Sequence, residues 1–250
     1  MNRIIVFALM FFCMTMQIEA QTLSEEEVTA KMYQAFELNK AAKKAEALEL
    51  FLIVGENTKQ QRNEGERQVY VCSQTMACQC YELLGRYKEG YLLGKSLLQG
   101  KLNDTERKDV GHLYAMNGYM YACEFIQRDE KGRADYKRGR ELISEILPYS
   151  DGQVKEYAET KIPLSWYFEG AQYAMTQSYD EALSSYEEAL NGFRDLGRVS
   201  EEVDVLSGIA SVKAHLCKFD EAKRVYYQAF VLAHQNGKGE KLTYYLYLCK

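Results

Sequence analysis

The chain has 250 residues and is nearly balanced in charge, with 31 lysine and arginine residues against 36 aspartate and glutamate residues. These charges are spread along the sequence without long blocks of one sign, which argues against nucleic acid as a partner. Only two prolines occur, and apolar residues recur at helical spacing over long stretches, so the sequence favours an all-α chain.

Residues 1–20 have the layout of a signal peptide, with a positive charge at Arg3, an apolar run over Ile4–Met16 and a polar stretch that ends at Ala20. The run of 13 residues is shorter than the roughly 20 that a membrane-spanning helix needs, so a permanent anchor is the weaker alternative. We expect cleavage after Ala20 and export to the periplasm or the extracellular space. No later segment has the length and apolar character of a stable membrane span.

Three helix pairs are predicted in the first part of the mature chain, at about 22–60, 66–103 and 105–148. Each combines large apolar residues with a small residue, Ala47 or Gly90 in the first two pairs, that lets two helices approach closely. In the third pair, the polar stretch 128–131 lengthens the turn before a second helix around 136–147.

Two further pairs, at about 152–196 and 200–236, repeat one pattern. An aromatic residue, Tyr179 or Phe219, is followed by Asp-Glu-Ala and is predicted to open the second helix of its pair. The aspartate places negative charge in the first helical turn, where the helix dipole favours it.

Residues 239–250 are predicted to form an unpaired, apolar final helix. Its segment 242–248 is apolar on nearly every face, whereas the last helix of a repeat array needs a polar outer side. We therefore expect self-association, a downstream domain or a partner to cover this segment.

The fourth pair has Trp166, Gly170 and Tyr173 in its first helix and Ala182, Tyr186 and Ala189 in its second. With these residues at this spacing it resembles the tetratricopeptide repeat, and the earlier and later pairs fit the same frame with departures. The resemblance implies a right-handed α-solenoid of about five antiparallel helix pairs over residues 21–236. Equivalent small residues lie 40 to 49 positions apart, against about 34 in the usual repeat, which is similar to the long-helix variety found in bacterial regulators and sensors.

The resemblance further implies that the first helices of successive pairs line a concave groove that binds a protein or peptide. The basic clamp with which some members of the family hold a C-terminal carboxylate is not visible. Carried over position by position, the groove residues are His112, Ala115, Tyr119, Leu164, Tyr167, Ala171, Met175, Asp204, Ser211 and His215.

Catalytic and cofactor motifs are missing from the sequence. The three histidines fall in different predicted helices without a nearby ligand partner, so no metal site is expected. No glycine-rich phosphate loop follows a strand pattern, so no cofactor is expected, and the glutamates of the repeats are typical of solvent-facing positions. The sequence predicts a protein that is not an enzyme.

Six cysteines remain after residue 20. Their irregular spacing favours buried small apolar residues, but the sequence leaves their disulfide state open.

Two functional hypotheses follow. The first is an exported scaffold or adaptor that binds a protein or peptide in the groove. The alternative is the extracytoplasmic sensory region, or a truncated form, of a two-component sensor kinase or transcriptional regulator that contains such repeats.

Overall fold

The computed structural model describes residues 23–127 and 134–237, and within these ranges all regular structure is helical. The predicted signal peptide, the polar stretch 128–131 and the predicted final helix 239–250 lie outside the described residues. A short 3-10 turn spans Leu147–Tyr149. The helices are α1 (Glu25–Lys40), α2 (Lys44–Thr58), α3 (Glu64–Leu83), α4 (Tyr87–Leu98), α5 (Asp104–Ile126), α6 (Tyr136–Ile146), α7 (Gly152–Met175), α8 (Tyr179–Asp195), α9 (Val199–His215) and α10 (Phe219–Gln235).

Side-chain caps fix where several helices begin. Ser24 caps α1 and Asn103 caps α5, each accepting a hydrogen bond from a backbone N–H in the first turn. In both cases a glutamate three residues later bonds back to the backbone N–H of the capping residue, which completes a capping box.

The turns that follow α7 and α9 have the same backbone geometry. After α7, Gln177 has a left-handed φ of 63° and the N–H of Ser178 bonds to the carbonyl of Tyr173 at 2.9 Å. After α9, Cys217 with φ 58° and Lys218 repeat the arrangement. This closing bond satisfies a terminal carbonyl and stops the helix, so that the next helix runs back along the one before.

Residues 23–86 form one compact unit, made of α1, α2 and α3. Its core is built around Phe51, which is fully buried and meets Phe36 edge to face at 5.4 Å between ring centroids. Ala35 on α1 and Ala47 on α2 are also fully buried, so larger side chains at these positions would not fit without moving the helices.

Residues 87–237 form a second unit, made of α4 to α10. Each helix of this unit packs against its neighbours in the chain, and the first helices α5, α7 and α9 also contact one another in that order. Contacts between chain neighbours define the connectivity of an α-solenoid. The predicted fold class, all-α with antiparallel helix pairs, is confirmed for the described residues.

The five cysteines within the described residues divide into two groups. Cys78, Cys80 and Cys123 are buried, as the sequence suggested, and burial raises the pKa of the Cys78 thiol to about 12. Cys72 and Cys217 are exposed, which the sequence did not indicate. All five are free thiols in the structure.

A carboxylate on α6 joins three helices of the second unit. Glu145 accepts hydrogen bonds from Tyr114 on α5 at 2.6 Å and from Tyr91 on α4 at 3.0 Å, and Lys95 lies 2.7 Å away. Partial burial acts to raise the pKa of Glu145, but the hydrogen bonds from Lys95, Tyr114 and Tyr91 outweigh it and hold the pKa below its usual range.

Replacing this carboxylate, as Glu145→Gln, is expected to destabilise the protein at neutral pH and to matter less in acid. A carboxyl group whose pKa is lowered by folding stabilises the native state above its unfolded pKa, and this contribution disappears as the pH falls through the folded pKa. Because the side chain is partly exposed, we expect only about 1 kcal/mol at pH 7. Urea titrations at pH 7 and pH 3 measure the difference, and an equal loss at both values would contradict the assignment.

Candidate binding surface on the first helices

The solvent-facing sides of α5, α7 and α9 form what we call the first-helix surface of residues 87–237. On α7 this side is apolar over nearly the whole helix, although exposed helix faces are ordinarily polar. Tyr157, Phe168 and Met175 have exposed fractions of 52%, 40% and 75%, and the half-buried Leu164 and Ala171 lie between them.

The neighbouring helix α5 continues the apolar character. Met116 and Met120 are half-buried on its outer side, and the Tyr119 ring stacks on Tyr157 with 6.3 Å between centroids. Burial raises the pKa of Tyr119, so its hydroxyl stays protonated at neutral pH. Methionine side chains adapt readily to the shape of an apolar ligand.

The side contributed by α9 is different in chemistry. Ser200, Asp204, Ser207 and Ser211 are partly exposed there. His215 ends the helix and stacks on Tyr179 at 5.8 Å. The first-helix surface is therefore apolar along α5 and α7 and mostly hydroxylic along α9.

The position of α7 against α8 and α9 depends on one tyrosine and two glycines. Tyr186 on α8 is buried, with its ring between Gly170 of α7 and Gly208 of α9. A Cβ atom at Gly170 or Gly208 would lie 2.9 or 2.8 Å from this ring, so both positions require glycine for the observed approach. The small residue Ala182, four positions before Tyr186 on α8, is fully buried.

Gly170 and Tyr186, two of the positions at which the sequence resembles a tetratricopeptide repeat, contact each other at this junction. Burial raises the pKa of Tyr186 to about 12, so the phenol between the two glycines remains neutral. The signature residues predicted from the sequence thus act in packing, and they hold α7 with its apolar side outward.

A buried cation on α6 also holds α7 in position. Arg140 of α6 is 8% exposed, and its guanidinium carbon lies 3.4 Å from the centroid of the Trp166 ring. The same guanidinium donates hydrogen bonds to Glu169 at 2.7 Å and to Ser165 at 3.3 Å. The charge is thereby paired and hydrogen-bonded, which buried charges require.

The structure places the residues predicted for the groove at different depths. Ala115 is fully buried and so is not part of the surface. His112 is exposed, with its Nδ1 atom 3.0 Å from Asp151 at the start of α7. The exposed Met175 and the half-buried Tyr119, Leu164, Tyr167, Ala171, Asp204 and Ser211 lie on α5, α7 and α9, as His215 does.

Two large side chains of the surface were missed by the sequence prediction, Tyr157 and Phe168. The family frame identified Tyr167 and not its neighbour Phe168. The Tyr167 ring packs at the edge of the surface, with 5.8 Å between its centroid and that of the Tyr186 ring. The spacing of residues 157, 164, 168, 171 and 175 was the available signal, since it marks a single side of a helix.

The surface can bind through apolar contact, aromatic stacking and hydrogen bonds. Among the described residues, no group of three histidine, cysteine, aspartate or glutamate side chains is arranged to hold a metal ion. The His112–Asp151 pair is exposed, and no hydroxyl or thiol in the described part of the chain is hydrogen-bonded to the imidazole. Within the same residues, no helix is both long and apolar enough to cross a membrane.

No protein-family model and no curated protein matches the sequence. Among solved structures, the chain is similar to TTC0263, a thermophilic tetratricopeptide protein of Thermus thermophilus, with 17% identity over 88% of this chain and 98% of that one and a TM-score of 0.34. It is also similar to the repeats of a putative kinesin light chain from Podospora anserina, with 14% identity over 84% and 96% of the two chains and a TM-score of 0.35.

A third similar structure is the TPR2AB domain of yeast Sti1, solved in a complex with pHSP90. It is 10% identical over 90% of this chain and 98% of that one, with a TM-score of 0.37.

Proposed function

We propose that this protein is a non-enzymatic scaffold or adaptor that holds a protein or peptide against the first-helix surface. The observation that carries the proposal is the exposed apolar side of α7, with Tyr157, Phe168 and Met175 open to solvent. A row of exposed large apolar residues on a soluble helix marks a site of interaction. Packing of α7 through Tyr186 and Arg140 provides a rigid support, which lowers the entropy lost on binding.

We also propose that the protein acts outside the cytoplasm, because residues 1–20 have the layout of a signal peptide. N-terminal sequencing of the native protein tests this part. A first residue of Gln21 would support export, and retention of Met1 would contradict it.

Binding at the surface is tested by peptide selection. The purified chain is screened against a displayed library of random peptides, and the affinities of the selected peptides are compared between variants. Phe168→Ser combined with Met175→Ser is expected to weaken binding by about tenfold or more, since aromatic anchors dominate such interfaces.

The matched control removes equally exposed side chains elsewhere in the second unit. Leu92 on α4 and Tyr227 on α10 have exposed fractions of 51% and 61%, and Leu92→Ser combined with Tyr227→Ser should leave binding unchanged. The proposed site would be overturned if both double variants lost affinity equally. It would also be overturned if the selected peptides bound the Phe168→Ser, Met175→Ser variant as tightly as the unchanged protein.

The alternative function, a sensory region of a longer receptor, would use the same surface for a ligand. It rests on the sequence pattern alone and stays a prediction. The intact mass and membrane association of the native gene product separate it from a free adaptor.

A further inference from the structure

The exposed side of α7 has a regular spacing. Its residues are separated by alternating steps of four and three positions, as at the core positions of a coiled coil. A stripe with this spacing matches the side chains of another helix packed alongside it. The stripe consists of the exposed Tyr157, Phe168 and Met175 and the half-buried Lys161, Leu164 and Ala171, of which Leu164 and Ala171 also pack against the core cluster of α8 to α10.

One member of the stripe is charged. Lys161 lies between Tyr157 and Leu164 and is half-buried. Burial raises the pKa of the Cys123 thiol on α5, and the positive charge of the nearby Lys161 opposes part of this rise. Among the ion pairs of the described residues, none involves Lys161. The stripe therefore offers a single ammonium group within an apolar row, where a partner's carboxylate would be drawn to one position.

The stripe also restricts the backbone of the partner. The backbone groups of α7 bond along the helix except at Pro163, which lacks an N–H and leaves the Glu159 carbonyl without its helical donor. The stripe side chains other than Tyr157 and Lys161 are apolar. An extended peptide laid on these apolar side chains would lose water from its N–H and C=O groups without replacing the hydrogen bonds. A helical partner satisfies its own backbone and presents only side chains.

We infer that the occupant of the first-helix surface is an amphipathic α-helix laid along α7, with apolar residues at alternating steps of three and four and one carboxylate facing Lys161. This inference rests on the proposed function and specifies its ligand. From Tyr157 to Met175 the stripe spans about 27 Å at 1.5 Å per residue, so a helix of about 18 to 20 residues covers it.

Two displayed libraries test the inference with the intact mature chain. One library holds helical hairpins with a randomised outer helix face, and the other holds linear peptides with proline at intervals that forbid helix. Binders are expected from the helical library, with apolar residues at steps of three and four and one aspartate or glutamate in common.

The charge is then tested on a selected helix. Lys161→Glu is expected to weaken its binding by about tenfold, and exchanging the acidic residue of the helix for lysine should restore it. Lys155→Glu, on the same helix but outside the stripe, is the control and should have no effect. Circular dichroism of both variants confirms that each remains folded.

Each other outcome overturns the inference in a recognisable way. Binders found only in the linear library, and sensitive to Phe168→Ser, would refute the helical occupant but leave the proposed function standing. No binder from either library would refute both. A dimer in sedimentation that Phe168→Asp converts to a monomer would make a second copy of this chain the occupant in place of the inferred partner.

Discussion

Replacing Arg140 with alanine is expected to reduce the free energy of unfolding around α6 and α7 by about 3–5 kcal/mol. The substitution removes the partner of Glu169, whose carboxylate side chain is only 17% exposed, and leaves that charge uncompensated. It also removes the guanidinium that covers the Trp166 ring. Both losses act where α6 meets α7.

The change can be followed with one intrinsic probe. Trp166 is the single tryptophan of the chain, so its emission during a urea titration reports on this junction. Arg138→Ala, two positions away on α6, is the control, because the exposed Arg138 side chain bonds only to the exposed Glu141 among the described residues. This change should alter stability by less than about 0.5 kcal/mol.

A second test separates the buried charge from the packing. Arg140→Met combined with Glu169→Gln removes both charges and keeps similar volumes, and it is expected to recover most of the stability. If Arg140→Ala unfolds at the same urea concentration as Arg138→Ala, the ion pair does not hold α7 in the way described.

Replacing Phe193 with alanine is expected to reduce the free energy of unfolding of the α8 to α10 region by a similar amount. Phe193 on α8 is 1% exposed and belongs to the core cluster that also contains Val203 and Ile209 of α9. Truncating a buried phenylalanine leaves a cavity and is expected to remove about 3–5 kcal/mol.

Phe168→Ala makes the same chemical change at an exposed position and is the matched control. It should alter stability by less than about 1 kcal/mol while weakening peptide binding, since Phe168 lies on the first-helix surface. Hydrogen exchange measures where protection is lost, because a repeat array can open region by region. Loss confined to α1–α3 in Phe193→Ala, or full stability, would contradict the assigned core.

Local signals in the sequence were sufficient to place most helices. The pattern of an aromatic residue followed by Asp-Glu-Ala predicted that second helices open at Tyr179 and Phe219, and α8 and α10 begin at these residues. The helix predicted around 136–147 corresponds to α6. These features depend on neighbours in sequence, so a single sequence contains them.

The surface was harder to predict because its composition depends on the rotation of each helix about its axis. Family positions identified Tyr167, but the structure turns Phe168 outward and packs Tyr167 against Tyr186. The Arg140 network could not be foreseen either. Arg140 and Glu169 are 29 positions apart, and nothing in the sequence links one arginine on α6 to one glutamate on α7.

The central claim is that the outer side of α7 contacts a partner protein, and site-specific photo-crosslinking in the native cells tests it most directly. A photoreactive phenylalanine is placed at position 168 in one strain and at position 227 in another, both exposed positions that hold aromatic residues. The account predicts a discrete crosslinked protein from position 168 and none from position 227. Equal products from both positions, or no product from position 168 at native expression, would contradict it.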